Sequence, residues 1–393
     1  MGLIHAGCGI PNLGVTIAVA VFTILRVADL ADAVSLPPPT GPYQVGVRKY
    51  IIEHYNDHDP VAPNNVSTAF LATVFYPTLD KPGAPKPYLN PETAAIFEQL
   101  WNYTAGTLSS ITSTIQENAT FMEKTIFINE EPKVITPPYP TILFGPGAGG
   151  PPVEGDTIIL SELASYGYAV IGLDHPYEQP FIRFPNGTAV EGIVIDYNSI
   201  ELITDIYDTR LVDNAALLEA LPGLIREHQL PFNITHIGAF GYSLGGAAAL
   251  GSLKRSSNIA SGLNLDGTLF GDPASNTSAA DEQKPAFLFG SESAHGSYTG
   301  DPTWASFPNW QTGPYWRTAV NGSTHHDYCD DGFWKTLEPG ADQAAGSING
   351  TREVQIMNTY VKAFFDYTLL GKNSSLLDGP SPGFPEVAFF DES

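Results

Sequence analysis

Gly241-Tyr242-Ser243-Leu244-Gly245-Gly246 follows an apolar run at 235–240 and precedes a stretch of small residues at 247–253. The first pattern suits a buried strand and the second a helix, so the chain turns from one to the other at Ser243. Glycines at 241, 245 and 246 let the backbone adopt φ values and close approaches that a β-carbon obstructs. Such a turn exposes the Ser243 hydroxyl. It also sets the Leu244 N–H at the head of the helix, where a developing oxyanion is stabilised. Ser243 is therefore the candidate nucleophile. A G-x-S-x-G match also arises by chance, and it is the flanking strand and helix that make this one specific.

Outward from this turn, apolar runs at 140–144, 169–174, 262–265, 285–289 and 316–320 read as further buried strands. Helical patterns at 157–166, 199–226 (interrupted near Pro222) and 352–370 alternate with them. Continuous apolar strands separated by helices predict an α/β fold, a mainly parallel sheet with helices on both faces. Two opening strands are expected at 46–52 and 69–76. An insertion follows from about 78 to 138, with a helix at 92–101 and a second helix-like stretch rich in Ser, Thr and Ile. Segments of this length serve as lids, binding walls or surface decoration. No internal repeat or low-complexity linker divides the chain, so residues 34–393 read as one domain.

In parallel sheets chemistry collects beyond the carboxyl ends of the strands, where Ser243 sits. A serine hydroxyl needs a base within hydrogen-bond reach and a carboxylate to fix that base's tautomer, in the chain order Ser, Asp or Glu, His. His325 and His326 follow a strand and a Gly322-Ser323-Thr324 turn, while His295 lies in the loop after the preceding strand. The position after the last strand favours His325. Asp266 and Glu292 end successive strands, and position alone does not choose between them. For the oxyanion, Phe144-Gly145-Pro146-Gly147-Ala148-Gly149-Gly150 follows a core strand and offers the Ala148 N–H beside that of Leu244. As a phosphate loop this stretch lacks the Gly-Lys-Ser/Thr ending.

Lys and Arg number 18 against 42 Asp and Glu, a formal charge of −24 spread along the chain. Such a surface repels nucleic acid and anionic membranes as partners. An apolar run at 15–25, Arg26 and the A-x-A-like Ala31-Asp32-Ala33 read as a signal peptide over residues 1–33, the run being too short to span a membrane comfortably. N-x-S/T sequons at Asn65, Asn102, Asn118, Asn186, Asn233, Asn276, Asn321, Asn349 and Asn373 point to a eukaryotic secretory route and an extracellular protein. Cys8 and Cys329 are the two cysteines. Cleavage of the leader leaves Cys329 without a partner in the chain, so the fold must stand without disulfides.

Taken together, these motifs resemble the platelet-activating factor acetylhydrolase family, of the secreted or plasma type, and look like a fungal member. The resemblance runs from about Gly41 to the C-terminus. It covers Leu163-Ala164-Ser165-Tyr166-Gly167-Tyr168 leading into Asp174-His175, the turn at Ser243, Leu265-Asp266, Gly322-Ser323-Thr324-His325, and a closing helix with Tyr360 and Ala363-Phe364-Phe365-Asp366. It implies an α/β-hydrolase fold, with Asp266 rather than Glu292 as the acid, His325 as the base and Ala148 at the oxyanion donor position. Pro146 stands where that loop usually has histidine, and Tyr242 where a histidine often precedes the serine. The implied activity is release of short or oxidised sn-2 acyl groups from phospholipids, with no metal or other cofactor and no stable protein partner. A broader carboxylesterase or a cutinase-like polyester hydrolase is the alternative within enzymes. An inactive binding protein on the same fold is the alternative outside them.

Overall fold

The computed structural model describes residues 34–390 apart from 123, 129–130, 136–137 and 298–299, and of residues 124–135 it describes the backbone. The expected leader at 1–33 lies outside the described residues. The chain opens with two long antiparallel strands, β1 (Gln44–Asn56) and β2 (Ser67–Thr78). The segment that follows carries α1 (Pro91–Leu100) and the two-residue β3 (Gln116–Glu117). Next come β4 (Tyr139–Gly145), α2 (Thr157–Ser165), β5 (Ala169–Asp174) and α3 (Ile200–His228). The second half runs β6 (Phe232–Tyr242), α4 (Leu244–Arg255), β7 (Ile259–Leu265), β8 (Ala286–Ser291), β9 (Tyr315–Val320), α5 (Gly350–Leu370) and β10 (Val387–Phe389).

These strands form one ten-stranded sheet in the order β10-β9-β8-β7-β6-β4-β5-β2-β1-β3. The six from β5 to β9 in that order are mutually parallel, and the flanking pairs β2–β5 and β9–β10 are antiparallel. The sequence of β8 explains why both faces are covered. Side chains alternate across a strand, so Phe287 and Phe289 pack with Tyr360, Phe364 and Phe365 of α5 and Leu163 of α2. Leu288, between them, joins Leu217 and Leu221 of α3 and Leu250 and Leu253 of α4. Each such apolar side chain contributes about 1.5–3 kcal/mol on burial. A continuous apolar run is what a strand with two buried faces requires.

Two expectations fail. The helix expected to break near Pro222 runs through it without interruption. Proline removes one helical hydrogen bond, but Leu217 and Leu221 anchor that segment in the core and carry the helix past the defect. The Ser-, Thr- and Ile-rich stretch is not a helix. It forms turns and the short strands Thr112–Ser113 and Gln116–Glu117, in keeping with the stiffness of β-branched side chains.

Candidate active site

β6 ends at Tyr242 and α4 begins at Leu244, leaving Ser243 alone in the turn with φ 55° and ψ −125°. A non-glycine residue held there is strained, and its neighbours show why the turn is so tight. A β-carbon on Gly245 would lie 2.0 Å from the Gly145 carbonyl oxygen, and one on Gly241 would lie 2.3 Å from the Gly245 carbonyl carbon. The head of α4 is thus pressed against the end of β4. The Ser243 N–H bonds the Leu265 carbonyl at 2.8 Å, tying the turn to the end of β7.

Asp266 follows directly on β7, also with positive φ, 57°. His325 opens a single helical turn, His325–Tyr328, after β9. Thr324 and Asp327 cap that turn reciprocally, and Lys335 and the Gly346 N–H hold Asp327 in place. The three side chains meet: His325 Nε2 lies 2.9 Å from Ser243 Oγ, and His325 Nδ1 lies 2.7 Å from Asp266 Oδ2. Asp266 is almost wholly buried, while the His325 side chain is 42% exposed and faces the cleft. The Tyr242 ring lies against that imidazole, centroids 4.9 Å apart. Burial favours the neutral form of Asp266, but hydrogen bonds from His295 and His325 outweigh it and hold the carboxyl at about 2. It is therefore ionised throughout the neutral range.

Glu292, the other strand-end carboxylate, turns away and accepts the Gly322 N–H through Oε2. His326 pairs with Asp342 at 2.6 Å and packs under Trp101, centroids 4.9 Å apart. His295 does not reach Ser243 but lies on the far oxygen of Asp266.

The loop after β4 crosses in front of the turn. A β-carbon on Gly147 would sit 3.5 Å from that of Ser243, so the loop backbone runs alongside the serine. Two donors hold the loop. Arg210 of α3 gives Nη1 to the Pro146 carbonyl at 2.5 Å, and the Tyr197 hydroxyl gives its proton to the Ala148 carbonyl at 2.8 Å. The peptide bearing the Ala148 N–H lies between these two anchored carbonyls. Leu244 is the first residue of α4, and N–H groups of a first helical turn have no acceptor within the helix. Arg210 is itself bound by Glu178 through Nε and Nη2, and both side chains are 1% exposed. Glu178 and its neighbour Gln179 are both buried.

The cleft above Ser243 has a volume of about 880 Å³. Ile96 and Leu100 of α1 with Trp101 just past its end form one wall and residues 193–195 with Tyr197 the other, and Glu191 also lines the cleft. Trp101 and the 193–197 segment carried no motif that could have announced them. Trp304 and Trp316 lie outside the cleft, Trp304 on His295 and Trp316 on Phe364. Among the described residues, His326, Asp331 and Asp342 are close enough to hold a metal ion. His326 already pairs with Asp342, and Asp331 with Tyr103. A serine–histidine–aspartate arrangement uses no metal.

A mainly parallel α/β sheet with these three residues at its carboxyl edge defines an α/β-hydrolase fold, and the known proteins that the chain is similar to are carboxylic ester hydrolases. No family model matches it. It is 29% identical over 269 residues to a probable 1-alkyl-2-acetylglycerophosphocholine esterase of Arthroderma benhamiae, a match spanning 64% of this chain and 66%, just under two thirds, of the relative. It is also similar to the solved ferulic acid esterase from Streptomyces cinnamoneus, at a TM-score of 0.76 and 25% identity over 91% of this chain and 100% of that one. The family resemblance read from the motifs agrees with the first of these.

Proposed function

We propose that the protein is a secreted serine esterase that hydrolyses short-chain carboxylic esters, with short sn-2 acyl groups of phospholipids as its substrate class. One observation carries the reading: Ser243, His325 and Asp266 are linked by hydrogen bonds of 2.9 and 2.7 Å, and Ser243 and His325 line a largely apolar cleft. In this mechanism His325 Nε2 takes the Ser243 proton as Oγ attacks the ester carbonyl. The Ala148 and Leu244 N–H groups hold the oxyanion. Asp266 holds the His325 Nδ1–H and stabilises the imidazolium, which then protonates the leaving alcohol. A water activated by the same histidine releases the acid from Ser243.

The substrate class rests on the glycerophosphocholine esterase relative and on the cleft, which no Lys or Arg lines among the described residues. Secretion is supported by the nine sequons. Eight of their asparagines are exposed, and Asn233 is half-buried. The ferulic acid esterase neighbour and the aromatic wall at Trp101 favour a second reading, a broader carboxylesterase or polyester hydrolase.

Hydrolysis of p-nitrophenyl esters from acetate to palmitate, repeated with an sn-2 acetyl phospholipid, ferulate esters and polyester film, decides between the two. Ser243→Ala is expected to abolish all of these activities, and full activity in that variant would refute the mechanism. A wild-type protein that neither turns over an ester nor labels with a fluorophosphonate would be a binding protein instead.

A further inference from the structure

The acid has two oxygens, and both are occupied. His325 Nδ1 takes Oδ2; His295 Nδ1 takes Oδ1 at 2.7 Å, beside the Ser291 N–H. His295 closes the helical turn Glu292–His295 after β8, and its side chain is 2% exposed. Its other nitrogen, Nε2, faces Asp301 Oδ2 at 3.3 Å. A neutral imidazole has one N–H, so with carboxylates at both nitrogens one lone pair would face another. The geometry therefore demands the doubly protonated ring. Burial opposes that charge, but the bonds to Asp266 and Asp301 prevail and raise the proton affinity of His295.

The surroundings fix this arrangement. The Trp304 ring stacks on His295, centroids 3.7 Å apart, and its indole N–H bonds the Gly267 carbonyl next to the acid. Asp301 is held by the Thr303 N–H and hydroxyl, each at 2.7 Å, and Thr303 Oγ1 in turn accepts the Leu269 N–H. The segment from Asp301 to Trp304 thus grips the loop from Asp266 to Leu269 on both sides of the histidine.

We propose that His295 is a positioning residue for ester hydrolysis: held as an imidazolium between Asp266 and Asp301, it fixes the acid toward His325 and keeps His325 neutral enough to act as a base. A carboxylate alone beside His325 would favour the protonated histidine, which cannot accept the serine proton. The positive charge on the far side of Asp266 offsets that pull. When His325 takes the proton during reaction, Asp266 is already aimed and needs no reorientation.

The test is the pH dependence of kcat/KM on a short p-nitrophenyl ester, whose acid limb reports protonation of the base in the free enzyme. His295→Gln keeps a donor for Asp266 but removes the charge, leaving two carboxylates unopposed. The acid-limb midpoint is expected to move up by about one unit, and the plateau to fall by about tenfold. His295→Leu removes the charge and the donor together and keeps an apolar side chain against Trp304, so its midpoint also moves up. This variant also serves if His295→Gln does not fold.

Other titratable groups around the triad are Tyr242 on His325, Tyr328 on the Gly290 carbonyl, His326 with Asp342, Cys329, Asp327 with Lys335, and Glu353. None is altered in either variant, so their contributions cancel in the comparison. Midpoints coincident with wild type, or lowered, in properly folded variants overturn the proposal, whatever happens to the plateau. The proposal rests on the Ser243–His325 mechanism. Retained hydrolysis in Ser243→Ala would sink that mechanism, whereas coincident midpoints in active enzymes sink the role of His295 alone.

Discussion

Replacing Arg210 with methionine separates what the buried Arg210–Glu178 pair does for the fold from what it does for the reaction. Arg210 is 1% exposed, spends Nε and Nη2 on Glu178, and gives Nη1 to the Pro146 carbonyl in the oxyanion loop. Arg210→Met strands a buried carboxylate, at a cost of about 3–5 kcal/mol. At about 2.1 cal/mol/K of unfolding entropy per residue, a chain of this length loses about 1.2 °C of Tm per kcal/mol, so Tm is expected to fall by about 4–6 °C. The loop also loses one of its two anchors. Deleting an oxyanion donor outright costs about 10²–10³ in kcat, so a misaimed Ala148 N–H should cost about ten- to a hundredfold, with KM nearly unchanged.

The double variant Arg210→Met/Glu178→Leu removes both charges and is expected to regain most of the lost Tm. It still leaves the Pro146 carbonyl without its donor, a residual cost of about 1–3 kcal/mol. Its kcat should stay low, and its affinity for an aryl boronate, which mimics the tetrahedral intermediate, should fall in step with kcat. Thermal melts with p-nitrophenyl acetate kinetics read both quantities. Recovery of kcat along with Tm in the double variant, or a loss carried by KM, would refute the assignment of Arg210 to the oxyanion loop.

Three further outcomes are expected. Asp266→Asn should reduce kcat by about 10⁴ by allowing the wrong histidine tautomer, whereas Glu292→Gln, which disturbs a bond to the Gly322 N–H, should stay within a few-fold of wild type; steady-state kinetics of the pair decide. Glu353 is fully buried, neither carboxylate oxygen has a hydrogen-bond partner among the described residues, and burial raises it from 4.5 to about 8. A carboxyl raised in the folded state stabilises most below its unfolded value, and that contribution is lost as pH climbs through about 8. Tm should therefore decline from pH 5 to 9, and Glu353→Gln should flatten the decline; an unchanged slope would contradict the burial argument. Gly245→Ala should abolish activity or folding, because its β-carbon meets the Gly145 carbonyl at 2.0 Å, while Gly223→Ala in α3, with open space around it, should raise Tm slightly.

Much of the fold was legible because the central strands have two buried faces. Runs such as 169–174 and 285–289 leave few alternatives, and the helices between them announce parallel connections. What local patterns did not reveal depends on distant contacts. Pro222 reads as a break until Leu217 and Leu221 are seen in the core, and the three-residue β10 exists because it pairs with β9.

The site divides in the same way. The turn at Ser243 is written in glycines because neighbouring backbones touch there. Asp266 and Glu292 look equivalent in the chain, and three-dimensional direction separates them. The left-handed backbone of Asp266 swings its carboxylate to His325, while Glu292 starts a helical turn that points its carboxylate at Gly322. Arg210 lies 64 residues from the loop that it holds, and Trp101 comes from an insertion without a motif, so neither could be read from spacing.

Ser243 and Asp266 share one backbone property: each ends a strand in a conformation that glycine adopts freely and that costs other residues about 1–3 kcal/mol. The two residues with the greatest use in the reaction thus occupy positions where backbone conformation alone would choose glycine. Selection for heat resistance, with no demand for turnover, would drift toward glycine at 243, while the bonds that Asp266 accepts from His295 and the Ser291 N–H would keep aspartate at 266. Its products would be firmer proteins without a nucleophile in the cleft, and a related chain with glycine at 243 and aspartate at 266 would mark a lineage that kept the fold after giving up the reaction.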